Sequence, residues 1–367
     1  MSVTNFARLN AKQKIVWSRD VWEAARDQMF IKKFLGTGDG AMIQRITELT
    51  QTEKGERVIM QLVADLVDDG VIGDDQREGN EEEIQNFEVE LSIDLISHQV
   101  RNKGKLADQK TVINFREQAK SRLAYWLSNR IDQLAFLTLS GISYAVNTDG
   151  SPRQKSPFPQ LSFAADVTAP SSKRHLMWNG SNLVPSSTAA ITSAFTASYK
   201  MIVDAVAYAK DHYIKPLMAG GKEYYVLLVK PGTLAQLKKD ADYLRAVVAI
   251  ATKDGANSPF FTGGTVTVDG AILHEHRMVY STTGAAAGSK WGADGNVNGT
   301  RTLLCGAQAL GMADLSVPEW VEKKFDYDSK VGISVDKMFG LLKPKFYSIY
   351  DKSVEDFGVL AIDHYLG

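Results

Sequence analysis

Two stretches of alternating apolar and polar residues constrain this chain more than any other feature. From Arg57 to Leu66, Val58, Met60, Leu62, Ala64 and Leu66 fall on one side of an extended strand. From Asn86 to Leu95 the alternation is stricter: Phe87, Val89, Leu91, Ile93 and Leu95 point one way, and Glu88, Glu90, Ser92 and Asp94 the other. A period of two is that of a β-strand, so each stretch reads as a strand about 33 Å long at ~3.3 Å per residue. The connection between them, Val67 to Gln85, is polar and too long for a tight hairpin. A two-stranded ribbon of this length is barely stable alone in water, so it must lie on its own domain or on a neighbouring subunit.

Charge favours the neighbour. Between Asp65 and Glu90 stand Asp65, Asp68, Asp69, Asp74, Asp75, Glu78, Glu81, Glu82, Glu83, Glu88 and Glu90, with Arg77 the only base. Such a density repels itself unless solvent, a metal or a basic partner relieves it. The sign then reverses through Arg101, Lys103, Lys105, Lys110, Arg116, Lys120 and Arg122. An acidic tip on one copy and a basic root on the next are complementary, which fixes register more than it adds affinity.

The basic root leads into a long helix. Asp108 suits an N-cap, and Val112, Phe115, Ala119, Leu123, Trp126, Leu127, Ile131 and Leu134 form an apolar stripe that Gly141 ends. Residues 108–139 would run about 48 Å as a helix. Before the ribbon, Trp17, Val21, Trp22, Ala25, Met29 and Phe30 recur at helical spacing in an arm that Gly36, Gly38 and Gly40 close. Its two tryptophans, Trp17 and Trp22, need cover from its own domain or a neighbour. Beyond the long helix, Asn147 to Ser187 reads as loop with short strands. A second helix is expected from Thr188 to Tyr213, a strand from Glu223 to Val229, and a third helix from Pro231 carrying Leu234, Leu237, Leu244 and Val248. Strands are expected from Thr265, over Ile272 to Val279 and over Thr302 to Cys305. The Gly/Ala-rich stretch from Thr283 to Gly299 reads as an exposed loop, and extended structure resumes from Trp320 to Asp363 and returns to the long helix. Helices alternating with strands around one sheet make an α+β protein.

Little supports catalysis. Gly36-Thr-Gly38-Asp-Gly40 lacks dinucleotide-binding spacing, Gly220-Gly221-Lys222 lacks that of a phosphate loop, and there is no Gly-x-Ser-x-Gly elbow. Asp68-Asp69-Gly70 and Asp74-Asp75 invite calcium but miss the EF-hand pattern. His274 and His276 would share a strand face without an evident third ligand, so exposed strand histidines are expected rather than a metal centre or a metal-dependent hydrolase. A lone cysteine, Cys305, excludes an intrachain disulfide and a four-thiolate zinc site. No cofactor is called for. With 42 basic against 43 acidic residues, the basic excess of a strong nucleic-acid binder is missing. No signal-peptide core or membrane-spanning run is seen, so no membrane partner is expected.

The order of elements (short arm, long ribbon, basic root, very long helix, mixed domain, returning strands) resembles the Hong Kong ninety-seven type (HK-type) fold of tailed-phage major capsid proteins. The residues are similar to the major capsid family typified by coliphage N-four. They include the loop around Gly73-Asp74 and Glu78-Gly79-Asn80-Glu81, the helix run Ala124-Tyr125-Trp126-Leu127-Ser128-Asn129-Arg130-Ile131-Asp132, and Tyr225 to Leu237. Leu304-Cys305-Gly306-Ala307-Gln308-Ala309, Asp326-Tyr327 and Phe357-Gly358-Val359 complete the likeness. The resemblance implies an N-arm (1–40), an E-loop (56–104), a P-domain (41–55, 105–190, 320–367) with its spine helix, and an A-domain (191–319). It implies a shell of pentamers and hexamers enclosing double-stranded DNA, with portal, scaffolding and decoration proteins as partners and assembly in the host cytoplasm. An encapsulin-like compartment is the alternative with the same fold. Gly55 and Gly104 would be hinges that let one sequence fit fivefold and sixfold surroundings.

Overall fold

The computed structural model describes residues 24–25, 28–47, 57–63, 70–73, 76–79, 81, 86–104, 115–254, 266–315, 317–327 and 329–367. Along the chain the strands are β1 (Leu35–Gly36), β2 (Ile43–Ile46), β3 (Arg57–Val63), β4 (Asn86–Ser92), β5 (Asp94–Arg101), β6 (His175–Trp178), β7 (Leu183–Pro185), β8 (Leu217–Ala219) and β9 (Lys222–Val229). They continue as β10 (Val266–Val268), β11 (Ala271–Glu275), β12 (Gly299–Cys305), β13 (Leu310–Ala313), β14 (Glu319–Phe325), β15 (Lys330–Leu342), β16 (Lys345–Ser348), β17 (Ser353–Asp356) and β18 (Val359–Tyr365). The helices are α1 (Phe115–Ser140), α2 (Tyr199–Asp211), α3 (Pro231–Lys239) and α4 (Ala241–Asp254).

Helix α1 runs into the larger hydrophobic core. Its first half buries one stripe, Ala119, Leu123, Ala124 and Leu127; from Ile131 to Ser140 every residue is buried. The stripe read in the sequence therefore widens to the whole circumference as the helix enters the core. Gly141 ends it with φ +65°, and the Ile142 N–H donates to the Leu137 carbonyl at 3.0 Å. A Cβ at Gly141 would meet the Thr168 carbonyl oxygen at 2.5 Å, so the left-handed turn and the close packing both require glycine. The expected start at Asp108 lies outside the described residues.

The larger sheet runs β10-β11-β9-β12-β18-β6-β7, with β8 added to β9. Its strands alternate between two layers, as a period of two demands. Val226, Leu228, Leu303, Cys305, Val359 and Ala361 face the core that holds α1. Tyr225, Leu227, Val229, Leu304, Leu360 and Ile362 face Met201, Ile202, Ala205 and Val206 of α2 and Leu237 of α3. The second sheet, β1-β2-β13-β15-β14 with β5 on β15, packs Ile96, Trp320, Ile333 and Val335 into the α1 core.

Several expectations are corrected. Of the helix expected over Thr188 to Tyr213, only Tyr199–Asp211 forms; Thr188–Ala190 is a 3-10 turn and Thr196 bridges Tyr365. The β-branched Thr188, Ile191, Thr192 and Thr196 disfavour helix. The Tyr199 N–H is capped from outside by Asp240 Oδ2 at 2.6 Å. That same Asp240, extended at ψ 126°, divides the expected third helix into α3 and α4. The strand expected over Ile272 to Val279 stops at Glu275. The Gly/Ala-rich loop is not simply exposed, because Trp291 within it is buried and bridges Val297. The returning extended tail divides: β14 and β15 join the sheet on α1, whereas β18 inserts between β12 and β6 of the larger sheet.

Candidate assembly surface

β3 and β4 pair antiparallel as a two-stranded sheet, with Val58 opposite Leu91, Met60 opposite Val89 and Leu62 opposite Phe87. The apolar faces read in the sequence thus meet in register. Val58, Met60 and Leu91 are buried, while Ile59, Glu88 and Glu90 are exposed. The buried face rests on the chain's own second sheet, against Ala313 and Leu342, and Met60 lies over Gly311. The described part of the ribbon therefore lies on its own body, a correction to the expectation that charge sends the ribbon to a neighbouring subunit. Nor is Asn86 to Leu95 one strand. β4 stops at Ser92, whose N–H donates to Asp166 Oδ2 at 3.2 Å, and β5 starts at Asp94 in the other sheet. Gly340 makes this crossing possible, since a Cβ there would lie 2.2 Å from the Ser92 carbonyl oxygen.

Beyond the anchored part, Arg77, Glu78 and Glu81 are exposed. Their segment turns through Gly70, Gly73 and Gly79, all at positive φ, and the Gly79 N–H donates to Glu81 Oε2 at 2.7 Å. Val71 and Ile72 are exposed in the same segment, Ile72 by 84%. Asp74, Asp75, Glu82 and Glu83 lie outside the described residues, as do Trp17, Trp22, Lys105 and Lys110 and the Gly55 hinge. At the basic root, Arg101 and Lys103 are exposed, and Gly104 takes φ +146°. Arg116 differs: its Nη2 pairs with Glu322 Oε2 at 3.1 Å, so part of its charge is already spent within the chain. Arg101 lies over the Phe325 ring, 5.4 Å from its centre.

The arm is fixed on its own body where it is described. Asp132, buried on α1, accepts the Phe30 N–H at 2.9 Å and the Ile31 N–H at 3.2 Å. Burial pushes its carboxyl up to about 6, against the two hydrogen bonds. Phe30 stacks on Phe136 and on His276, and Phe34 meets His274 edge-on. The two histidines are therefore half-buried members of an aromatic cluster rather than exposed strand residues. Burial lowers both, His276 to about 4, which keeps its ring neutral at neutral pH. Among the described residues no group of three or more His, Cys, Asp or Glu side chains could hold a metal ion, and no helix is long and apolar enough to cross a membrane. Cys305 is fully buried and its thiol is pushed up by that burial.

Sequence reasoning missed the buried ion pairs that join the layers. Arg301 Nε and Asp363 Oδ1 stand 2.7 Å apart, and Arg301 Nη1 donates to the Ser140 carbonyl that ends α1. Lys343 pairs with Asp356 at 2.8 Å, and Asp314 takes both Lys337 and Arg45. The signal was available: a single charge inside an apolar strand, as in Val359-Leu-Ala-Ile-Asp363, must find a partner.

The profile of the family described as phage capsid protein matches residues 5–366. A major capsid protein of Pseudomonas phage KPP25 is 52% identical over 364 residues, covering 98% of this chain and 96% of that one. Among solved structures, the capsid of Ralstonia phage GP4 superposes with a TM-score of 0.78 at 26% identity, covering 100% of this chain and 98% of that one. The capsid asymmetric unit of cyanophage Pam1 gives 0.70 at 18% identity, covering 100% and 96%, a likeness of fold.

Proposed function

The chain belongs to the phage capsid protein family, and from that premise we propose that its copies form pentamers and hexamers of an icosahedral shell around double-stranded DNA. It is a major capsid protein, a structural component of the virion that associates with itself, and not an enzyme. The encapsulin-like alternative is not favoured beside a phage relative this similar, and the histidine pair of the hydrolase alternative is taken up by aromatic packing.

On this reading the layout is HK-type, of the sort typified by coliphage N-four. Residues 1–40 form the N-arm and 56–104 the E-loop; 41–55, 105–190 and 320–367 form the P-domain, and 191–319 the A-domain. The observation that carries the reading is the contrast along the ribbon. Its base is buried on its own sheet, while its outer segment holds Val71 and Ile72 in water among acidic residues. Apolar side chains in such a setting call for a covering surface. A neighbouring copy offers a basic one in Arg101, Lys103, Lys105, Lys110 and Arg116, facing Asp74, Asp75, Glu78, Glu81, Glu82 and Glu83, with Arg77 screening the acids. Trp17 and Trp22 would pack the arm. Each contact is modest, but a subunit held by several neighbours at once is held firmly. Scaffolding, portal and decoration proteins would act during assembly in the host cytoplasm, and the near-neutral charge suits weak, non-specific contact with packaged DNA.

The test reverses Glu81, Glu82 and Glu83 to Lys. The unassembled chain should keep its circular dichroism and melting temperature, while electron microscopy shows no shells. Normal particles from this variant would remove the acidic tip from the mechanism.

A further inference from the structure

The arginines of this chain sort into two groups. Arg45, Arg116, Arg174, Arg245 and Arg301 each stand against a carboxylate. Among the described residues that do not, four gather about the open face of α1: Arg122, Arg130, Arg153 and Arg277. Arg122 and Arg130 lie eight residues apart on the helix, about 12 Å along its axis and on one side of it. Between them Tyr125, 49% exposed, accepts Arg277 Nη2 on its hydroxyl at 3.1 Å. Arg153 reaches the same helix through a short chain of bonds. Arg130 Nη1 donates to Gln133 Oε1 at 2.8 Å, and Gln133 Nε2 to Asn147 Oδ1 at 3.4 Å. Asn147 opens the loop, closed by the Val146–Pro152 bridge, that holds Arg153 Nε on the Val146 carbonyl at 3.0 Å.

Like charges are thus held together without relief. Arg153 Nη2 is covered and has no partner, and burial with the nearby Arg130 guanidinium pushes the group down to about 10, which still leaves it charged at neutral pH. The neighbouring carboxylates are committed elsewhere. Asp149 takes the Ser151 N–H at 2.9 Å and its hydroxyl at 2.6 Å, and Asp132 takes the Phe30 and Ile31 N–H groups of the arm. His98, stacked on Trp126, is lowered by burial and by Arg130 and adds no charge at neutral pH. The chain as a whole is near neutral, so four unrelieved guanidiniums on one face are a local segregation of charge that an anion would answer. The outward stripe of α1 says which anion. Gln118, Ser121, Arg122 and Tyr125 are exposed and Asn129 half-buried, with no exposed aliphatic side chain among them. A protein interface centred there would lack its apolar anchor, whereas hydroxyl, amide and guanidinium groups are what bind phosphate oxygens. Over ~12 Å one strand of a DNA duplex presents about three to four phosphates, at ~3.4 Å each.

We propose that the open face of α1, through Arg122, Arg130, Arg153 and Arg277, is where this chain contacts the phosphate backbone of double-stranded DNA, without regard to sequence. The proposal rests on the shell reading, which supplies the DNA, but uses neither the acidic ribbon tip nor the basic root. It sets this face of α1 toward the inside of the shell.

The experiment titrates the unassembled chain with a short DNA duplex over a series of salt concentrations. Each phosphate contact adds ~0.9 to the slope of log affinity against log salt. Arg122→Gln with Arg277→Gln, both exposed in the natural chain, should keep the melting temperature and lower that slope by about 1.8. Lysine at both positions keeps the charge and should restore it. Arg77→Gln with Arg245→Gln removes the same charge elsewhere and should leave the slope unchanged. An equal fall in both glutamine pairs means diffuse attraction and overturns the proposal, as does a natural chain that fails to bind the duplex at low salt. A synthetic peptide of residues 67–85, the acidic connection of the ribbon, tests the other occupant. If its binding is lost in the Arg122→Gln, Arg277→Gln variant while DNA binding is not, the face belongs to a second copy and the proposal falls. The titration needs no lattice, so a natural chain that forms no particles strikes the shell reading alone.

Discussion

Asp363 stands at the junction of three layers, and its replacement by alanine should be among the most damaging single changes in the chain. Its carboxylate is fully buried. It receives Arg301 Nε at 2.7 Å and Nη2 at 3.0 Å, lies 2.7 Å from His175 Nε2, and accepts the Ser186 hydroxyl at 2.8 Å. Burial alone would raise the carboxyl; the Arg301 guanidinium outweighs it and holds Asp363 well below the usual carboxylate range. In Asp363→Ala the guanidinium, itself 4% exposed, keeps no carboxylate, only the neutral Ser140 carbonyl and the His175 ring nitrogen beside it. Breaking one half of a buried pair costs about 3–5 kcal/mol, a large part of the roughly 5–15 kcal/mol that holds a domain together. Replacing both partners, as in Arg301→Met with Asp363→Leu, removes the orphaned charge and should recover most of that loss. Urea unfolding of the unassembled chain, followed by tryptophan fluorescence, reads both numbers. If the double variant is as unstable as Asp363→Ala, the loss comes from packing and the electrostatic account is wrong.

Two further outcomes follow from the anchoring of arm and ribbon. Asp132, raised in the folded chain to about 6 from an ordinary 3.8, binds its proton more tightly folded than unfolded. Its stabilising contribution is therefore present below pH ~4 and lost as pH rises through 6, a swing of about 3 kcal/mol. The stability difference between the natural chain and Asp132→Asn should move by that order between pH 4 and 7, favouring the natural chain in acid, and a flat difference would refute the assignment. Gly340→Ala should push the Ser92 carbonyl aside at a cost of about 1–3 kcal/mol, and hydrogen exchange should speed up across residues 86–92 before the rest of the fold loosens.

The elements with a strong period were legible in the sequence. The ribbon's facing residues, the α1 stripe and its Gly141 stop, and the strand at residues 222–229 all follow from local pattern, because burial imposes a period of 2 or 3.6 on any element with one buried side. What escaped the pattern was decided by distant residues. Thr188 to Ser198 has helix-spaced apolar positions, yet Ile191 is claimed by Trp291, a hundred residues on. Asp240 breaks one helix because its carboxylate starts another. His274 and His276 look like exposed strand residues until Phe30 and Phe34 arrive from the arm. At the candidate assembly surface the charge reversal was plain, but the pairing of Arg116 with Glu322 depends on tertiary neighbours that spacing cannot supply.

The insertion of β18 between β12 and β6 has a temporal consequence. β6 pairs through His175 to Met177, but its partner, Ala361 to Asp363, is made 186 residues later. At ~5–20 residues per second a ribosome needs about 10–40 s to cover that interval. Until then the larger sheet has a gap at its middle, and Arg301 has no counter-ion. A nascent subunit lacks a finished surface until β18 emerges, so a polysome crowded with identical chains is poorly placed to start a lattice before then. Translation order itself delays association until β18 has been made.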